Sequence, residues 1–204
     1  MIMATYNLNN GRKINSHIEN PIDDYLIGIC DKTINICIKY NISPNMITLF
    51  RAFLLIFIYN YLFNTNKKLE PIILIIIFYF LDCLDGHLAR TTDKVTKIGD
   101  ILDHSADFIF LLIITYFIYI KNFSNKKLIS IFYIVFLYLG LIHMGVQQLN
   151  YSDNNPDKKY EYIDNLNYFH FFNKNDIKWT RYVGCGSFIL ITLFIIYYIQ
   201  TNKY

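Results

Sequence analysis

The chain has 204 residues, of which 54% are hydrophobic and 18% aromatic, and its formal net charge is +3. This composition is richer in apolar side chains than that of a typical soluble domain, and it favours an integral membrane protein. No basic stripe with interleaved aromatic residues occurs, so we expect no nucleic acid partner. The four cysteines lack any paired C-x-x-C spacing, which argues against a zinc site.

The N-terminal region contains a predicted amphipathic helix. Residues 1–20 are rich in asparagine, and we expect them to be flexible. Asn20 followed by Pro21 is a helix-start signal. Over residues 21–42 the side chains alternate at helical spacing between an apolar and a polar face, which predicts a helix lying in the membrane interface or on the end of a bundle. The predicted apolar face comprises Ile22, Tyr25, Leu26, Ile29, Thr33, Ile36, Cys37 and Tyr40.

Long apolar stretches then define a predicted membrane domain over residues 43–204. Each is close to the roughly 20 residues that cross a bilayer core. Residues 151–178 form a polar, aromatic-rich interruption, which is either an interfacial segment or a sixth, less hydrophobic span. The predicted fold class is all-α, a polytopic membrane helical bundle of five to six transmembrane helices with an N-terminal interfacial amphipathic helix. The five predicted spans are 46–63, 71–89, 98–120, 128–148 and 181–200.

Lysine and arginine are more frequent on one side of this topology. With five spans, the excess falls on the side that holds the N-terminus and the turn at 90–97. Because positively charged loops are retained in the cytoplasm, we expect both to be cytoplasmic. Arg51 lies one to two turns inside the first span, and we expect its side chain to extend toward the lipid headgroups.

Four aspartates lie inside the second and third predicted spans, where acidic side chains are costly and by default functional. Asp82 and Asp85 share a helical face near the end of one span, and Asp103 and Asp107 share a face near the start of the next. A short turn would make these helices antiparallel neighbours. At 1.5 Å of rise per residue, each pair then lies up to ~12 Å below the turn, so the four carboxylates can meet.

Converging carboxylates repel one another and therefore bind protons or recruit cations. Hard oxygen ligands favour Mg²⁺ or Mn²⁺, and two ions fit the charge. Gly86 and Ala89 leave room for a substrate, and the guanidinium of Arg90 suits a phosphate. Asp100, near the start of the third span, is expected to point away from the other acids.

Several other polar or small residues admit two interpretations. His87 is interpreted as a hydrogen-bonding partner near the acids or as a proton shuttle. His143 and Gln147 share a helical face and either recognise a headgroup or bond between helices. Gly184 and Gly186 predict close contact between helices.

The acidic motif resembles the signature of the class-I CDP-alcohol phosphotransferases, DxxDGxxAR-x8-GxxxDxxxD, and matches every fixed position between 82 and 107. With the preceding SPNMIT, the resemblance covers about residues 43–120. It implies that the four aspartates hold two divalent ions and that Asp107 is also the general base. It further implies that other residues contact the CDP part of the substrate: Gly86, Ala89 and Arg90, with Asn45, Thr48 and Thr96 lining the nucleotide site.

The resemblance implies a reaction in phospholipid biosynthesis. An acceptor hydroxyl would attack the β-phosphorus of a CDP-alcohol and release CMP, with lipid substrates and a cytoplasmic active site. The pair Asp103–His104 resembles an Asp-His pair in enzymes that use CDP-choline or CDP-ethanolamine with diacylglycerol, and we favour these substrates slightly. The short chain instead resembles enzymes that use CDP-diacylglycerol with inositol or glycerol phosphate. A homodimer is also expected.

Two other function classes stay open from the residues alone. A membrane prenyltransferase also uses aspartates and Mg²⁺, but it leaves Gly86, Ala89 and Arg90 without a role. A divalent-cation transporter would use carboxylates along a path, whereas these acids cluster near one end of the spans.

Overall fold

The computed structural model describes residues 11–121, 123–154 and 173–202, with residues 152–154 as backbone only. The described residues are mainly helical and contain no β-strand. Short 3₁₀ turns lie at Ser16–Ile18, Lys174–Asp176 and Arg181–Val183. The α-helices are α1 (Pro21–Lys39), α2 (Pro44–Asn64), α3 (Leu69–Thr91), α4 (Lys97–Ile120), α5 (Lys126–Asn154), α6 (Ile177–Thr180) and α7 (Cys185–Thr201).

Among the described residues, five helical stretches are long and apolar enough to cross a membrane, which confirms the predicted polytopic bundle. The last of them includes α6 and the turn before α7 as well as α7 itself. Within the interruption at 151–178, residues 155–172 lie outside the described part of the chain, so the sixth span stays a prediction. The five stretches are Pro44–Asn64, Leu69–Thr91, Lys97–Ile120, Lys126–Tyr151 and Lys174–Thr201.

Side-chain caps fix where three helices begin. Asn20 accepts hydrogen bonds from the first turn of α1, with Pro21 as its first residue, which confirms the predicted helix start. Ser43 caps α2, and Thr96 caps α4 in the same way. These caps set the positions at which the chain enters the bundle near the acidic motif.

The core of the bundle forms where α2 packs against α3 and α4, and α7 packs against α3 and α5. Phe78 of α3 stacks on Phe110 of α4, with ring centroids 4.9 Å apart. Ile58, Ile75 and Ile114 are fully buried beside them. Van der Waals packing of this kind holds helices together in lipid, and here it aligns α3 with α4.

Helix α1 has two apolar faces. Part of the predicted face is outward, with Tyr25, Ile29, Ile36 and Tyr40 exposed. A second apolar stripe, which the sequence analysis did not separate, packs α1 on the α3 residues Leu84 and Leu88. The helix therefore lies on the end of the bundle and still presents an apolar face, so its interfacial position stays a prediction. The packed stripe consists of Cys30, Ile34 and Cys37.

The segment before α1 also lies against the bundle. Residues 1–10 are outside the described part of the chain, and the flexibility of residues 1–20 stays a prediction. Glu19 and Asn20 are buried. Asn20 donates a hydrogen bond to Ser187 Oγ at 2.9 Å, and Glu19 Oε1 accepts one from Gln147 Nε2 at 3.1 Å. Gln147 thus bonds between segments.

Two glycines allow these close approaches. A Cβ at Gly186 would fall on Asp23, and one at Gly184 would fall on His143, so the predicted close helix contact is confirmed. Asp23 in turn accepts hydrogen bonds from Tyr79 Oη at 2.5 Å and from the Gly186 amide at 3.4 Å. The start of α1 is therefore fixed to α3 and α7.

Burial raises the pKa of two carboxyl groups at this junction, Glu19 and Asp23. Burial, and then the charge of Asp23, raise the pKa of Glu19 to about 7, although Lys13 and Arg12 act in the opposite direction. Burial likewise raises the pKa of Asp23 to about 6. A raised pKa means that folding takes up a proton between the unfolded and folded values, so stability falls as pH rises through that range.

We predict that Glu19→Gln stabilises the protein at pH 8 by an amount on the order of 3 kcal/mol, because the glutamine carries no charge to bury. The difference should shrink toward pH 5, where Glu19 is protonated in the folded protein. Thermal unfolding in detergent from pH 5 to pH 8 measures it. Glu70→Gln, at a partly exposed glutamate that pairs with Lys67, is the matched control and should leave this pH profile unchanged. Equal pH profiles for Glu19→Gln and the natural protein would contradict the prediction.

Candidate active site

Carboxylates from α3 and α4 converge as predicted. One oxygen from each of Asp82, Asp85 and Asp103 lies within 4.8 Å of the other two. Asp107, one turn further along α4, joins the cluster through a shared partner. These side chains come from α3 and α4, which both pack against α2.

The shared partner is Arg51 of α2, whose side chain is completely buried. Its Nη1 lies 3.0 Å from Asp107 Oδ1 and also pairs with Asp82, while its Nη2 lies 2.6 Å from Asp103 Oδ1. The guanidinium also lies 4.9 Å from the ring centroid of Phe78, in cation–π geometry. The expectation that Arg51 extends toward the headgroups is therefore wrong. Because opposite charges attract each other more strongly where water is excluded, the carboxylates hold the guanidinium inside the bundle.

Asp85 is held from a different side. Thr48 Oγ1 on α2 donates to Asp85 Oδ2 at 2.7 Å, and both side chains are buried. A hydroxyl bond of this kind orients a carboxylate toward its neighbours. Thr48 thus lies next to the acidic cluster as well as on the wall of the adjoining cavity.

A cavity opens beside the cluster and, with the solvent at its mouth, has a volume of about 640 Å³. Asp85 and Asp103 line it, and Asp103 also pairs with Arg51, as Asp82 and Asp107 do. About 44% of the Asp107 side chain nevertheless stays accessible. All six residues for which the resemblance implies substrate contact lie on the cavity wall, namely Asn45, Thr48, Gly86, Ala89, Arg90 and Thr96.

The glycines of the motif make room for polar side chains. A Cβ at Gly86 would lie 3.1 Å from Arg90 Nη1. The absence of a side chain at Gly86 therefore leaves room for the guanidinium above it. A Cβ at Gly99 would lie 2.5 Å from Asn45 Oδ1 and 2.9 Å from Thr96 Oγ1. Gly99 therefore lets the start of α2 approach the start of α4.

Some polar residues lie elsewhere than expected. Asp100 lines the cavity together with Asp103, so the expectation that it points away is wrong. Residues three apart share a helical face, and this spacing could have predicted it. Lys13 and Tyr151 line the same cavity and were not predicted. Since both are distant from the motif in sequence, no local pattern identifies them.

His87 and His143 make hydrogen bonds away from the acidic cluster, whereas His104 Nδ1 lies 3.7 Å from Asp103 Oδ2. His87 is buried, and its Nε2 lies 2.7 Å from Asp31 Oδ1 of α1. His143 Nδ1 lies 3.3 Å from Thr180 Oγ1. These contacts fit the interpretation of both residues as hydrogen-bonding partners between segments.

The cluster fits hard divalent cations. Its donors are carboxylate oxygens, the ligands that Mg²⁺ and Mn²⁺ prefer. Four aspartates and one arginine carry a nominal charge of −3, since −4 and +1 sum to −3. One divalent cation would bring this charge to −1 and two would bring it to +1. The residues present therefore have both the chemistry and the charge for such ions.

We predict that Arg51→Met lowers the free energy of unfolding by about 3–5 kcal/mol in a metal chelator, because the carboxylates lose their buried counter-charge. Added Mg²⁺ should recover more stability in this variant than in the natural protein, and thermal unfolding in detergent with and without Mg²⁺ measures both effects. Lys67→Met removes an exposed ion pair with Glu70 and should change little. If Arg51→Met matches the natural protein in chelator, the assigned role of Arg51 is wrong.

Comparisons with known proteins agree with this site. The family model for CDP-alcohol phosphatidyltransferase matches residues 41–201. An archaetidylinositol phosphate synthase of Pyrococcus horikoshii is 39% identical over 66 residues, which are 32% of this chain and 35% of the relative. An uncharacterized protein of Aquifex aeolicus is 35% identical over 92 residues, which are 45% of this chain and 46% of that protein. The matched regions thus span less than half the length of these curated relatives, and no solved structure matches the chain. Because the family match covers most of its length, the chain belongs to the CDP-alcohol phosphatidyltransferase family.

Proposed function

We propose that the protein transfers a substituted phosphate group from a CDP-alcohol to an acceptor hydroxyl, with release of CMP, as a step of phospholipid synthesis in the membrane. The observation that carries this proposal is the convergence of Asp82, Asp85 and Asp103 beside a cavity lined by Arg90. A site of this kind can hold cations and a diphosphate together. Family membership disfavours the prenyltransferase and transporter alternatives.

The four aspartates would hold two divalent ions, Mg²⁺ or Mn²⁺. When bound, such ions neutralise charge on the diphosphate and help the leaving phosphate to depart. Thr48 would keep Asp85 in a ligating orientation through its 2.7 Å hydrogen bond. Arg51 would hold Asp82, Asp103 and Asp107 in one place before any ion or substrate arrives.

Asp107 would act as the general base. It would take the proton of the acceptor hydroxyl while the hydroxyl oxygen forms a bond to the β-phosphorus. The bond between that phosphorus and the bridging oxygen would break, and CMP would leave with its electron pair. The accessible part of the Asp107 side chain, and its orientation by Arg51 at 3.0 Å, support this role.

The nucleotide would lie over Gly86 and Ala89. Arg90 presents a fork of donors over Gly86, which suits phosphate oxygens. Asn45 and Thr96 stand together where α2 and α4 begin, with Asn45 Nδ2 3.4 Å from Thr96 Oγ1. They offer amide and hydroxyl groups to the polar part of the nucleotide.

Two substrate pairings compete. The relative from Pyrococcus horikoshii is named an archaetidylinositol phosphate synthase, and this favours a CDP-activated lipid with inositol phosphate or glycerol phosphate as the acceptor. His104 next to Asp103 favours the other pairing, CDP-choline or CDP-ethanolamine with diacylglycerol. We propose the first pairing, since it agrees with the name of this relative. Incubation of the purified protein with each labelled donor and acceptor, followed by identification of the lipid product, separates the two.

The cavity would face the cytoplasm. It lies at the end of the bundle that holds the turn between α3 and α4, where Lys94 lines its wall. The excess of lysine and arginine on this side favours cytoplasmic retention. A cytosolic nucleotide could then reach the site directly. The homodimer expected from the resemblance stays a prediction.

We predict that Asp107→Asn lowers the rate of CMP release by about 10²–10⁴-fold, because it removes the base. Binding of CDP, measured by calorimetry in detergent, should stay within a few-fold of the natural value. Asp93→Asn, an exposed aspartate in the turn, is the matched control and should keep full activity. Unchanged CMP release by Asp107→Asn would rule out its role as the base.

We also predict that two variants at the cluster lower the affinity for Mg²⁺. Thr48→Val removes the hydrogen bond that orients Asp85, and the Mg²⁺ concentration for half-maximal rate should rise roughly 10–100-fold. Asp85→Asn removes a ligand and should raise that concentration further. A Mg²⁺ titration of CMP release measures both, and an unaltered titration for Asp85→Asn would remove it from the ligand set.

A further inference from the structure

Residues Gly11–Glu19, which we call the N-terminal strap, cross the end of the bundle beside the cavity. The strap is attached to α1 by Arg12, whose Nη1 lies 2.6 Å from Asp24 Oδ1 and whose Nη2 lies 3.9 Å from Asp31 Oδ2. Ile14 is buried, and it packs with the apolar residues Ile142, Val146 and Ile177. The strap is therefore a packed part of the structure.

The ends of the strap are bonded to different helices. At its start, the Gly11 carbonyl accepts a hydrogen bond from Arg90 Nε at 2.7 Å. A Cβ at Gly11 would collide with His87 and Thr91, so the backbone lies directly on α3. At its end, Glu19 bonds to Gln147 of α5. Attachment at both ends fixes the path of the residues between them.

That path brings Lys13 to the cavity. Lys13 lines the same wall as Asp85, Asp103 and Arg90. The cationic side chains on this wall, among the described residues, are Lys13, Arg90 and Lys94. Arg90 and Lys94 belong to the motif helix and its turn, whereas Lys13 comes from a separate segment. A lysine ammonium is a compact point charge on a flexible stem, and it binds phosphate oxygens well.

We propose that Lys13 binds phosphate oxygens of a substrate in this cavity, and that the strap positions it there. The inference rests on the proposed function, because it assigns a residue to the substrate of that same site. The phosphate belongs either to the diphosphate of the CDP donor or to a phosphorylated acceptor. A purely structural lysine, paired with the cavity acids, would instead affect stability and every substrate alike.

The test compares Lys13→Met with Lys13→Arg, which keeps the charge. Lys32→Met is the matched control, because Lys32 is an exposed lysine on α1 outside the cavity. For each variant we would measure the melting temperature, the Kd for CDP, and the KM for donor and acceptor. The phosphorylated acceptors are inositol 1-phosphate and glycerol 3-phosphate. Diacylglycerol, used with CDP-choline, is the acceptor that carries no phosphate.

Loss of one charged hydrogen bond predicts a rise of roughly 10–100-fold in the affected constant for Lys13→Met, with most of it recovered in Lys13→Arg. A rise in the Kd for CDP and in the donor KM assigns Lys13 to the diphosphate. A rise confined to the KM of phosphorylated acceptors assigns it to the acceptor phosphate.

If the natural protein is active and the constants of Lys13→Met lie within twofold of those of Lys32→Met, the proposal is wrong. A lower melting temperature with an equal loss for every substrate also overturns it. If the natural protein neither binds CDP nor releases CMP, the proposed function itself fails.

Discussion

The burial of one arginine among carboxylates is the interaction on which the site depends. Three of the four motif aspartates pair with Arg51, which is fully enclosed between α2, α3 and α4. Unpaired acids at this depth would each carry a large desolvation cost, and together they would repel. The guanidinium offsets part of both effects, yet it leaves the cluster with excess negative charge. The bundle can therefore fold with its acids already converged, and it keeps an electrostatic preference for further cations.

The same helices that balance charge also shape the cavity. Gly99 lets the start of α2 approach the start of α4, and this contact places Asn45 and Thr96 on one wall. Thr48, one turn further along α2, reaches Asp85, and Arg51 reaches the acids beyond it. One face of α2 thus carries, in order, an amide on the cavity wall, a hydroxyl that orients Asp85 and a counter-charge. This order explains why the signature on α3 and α4 needs α2 to complete the site.

Local signals in the sequence predicted the spans, the start of α1 and the convergence of the acids, because apolar length, Asn20–Pro21 and helical spacing act over a few residues. The same spacing could have placed Asp100 beside Asp103, and that signal was missed. Arg51 could not be placed in this way, since its partners Asp82 and Asp107 lie 31 and 56 residues away. A single charged side chain near the end of a span usually extends to the headgroups and water. Only the packed bundle shows that the aspartates are the partners of Arg51. Lys13 was missed for a similar reason, because the strap has no periodic pattern and its contacts are long-range.

We infer that α3 and α4 together hold divalent cations between their aspartates. Manganese binding to the purified protein tests it most directly, by electron paramagnetic resonance in the presence of CMP and by anomalous scattering from crystals. We expect two ions per chain, both located between the carboxylates of Asp82, Asp85, Asp103 and Asp107. Finding no manganese at these carboxylates would contradict it.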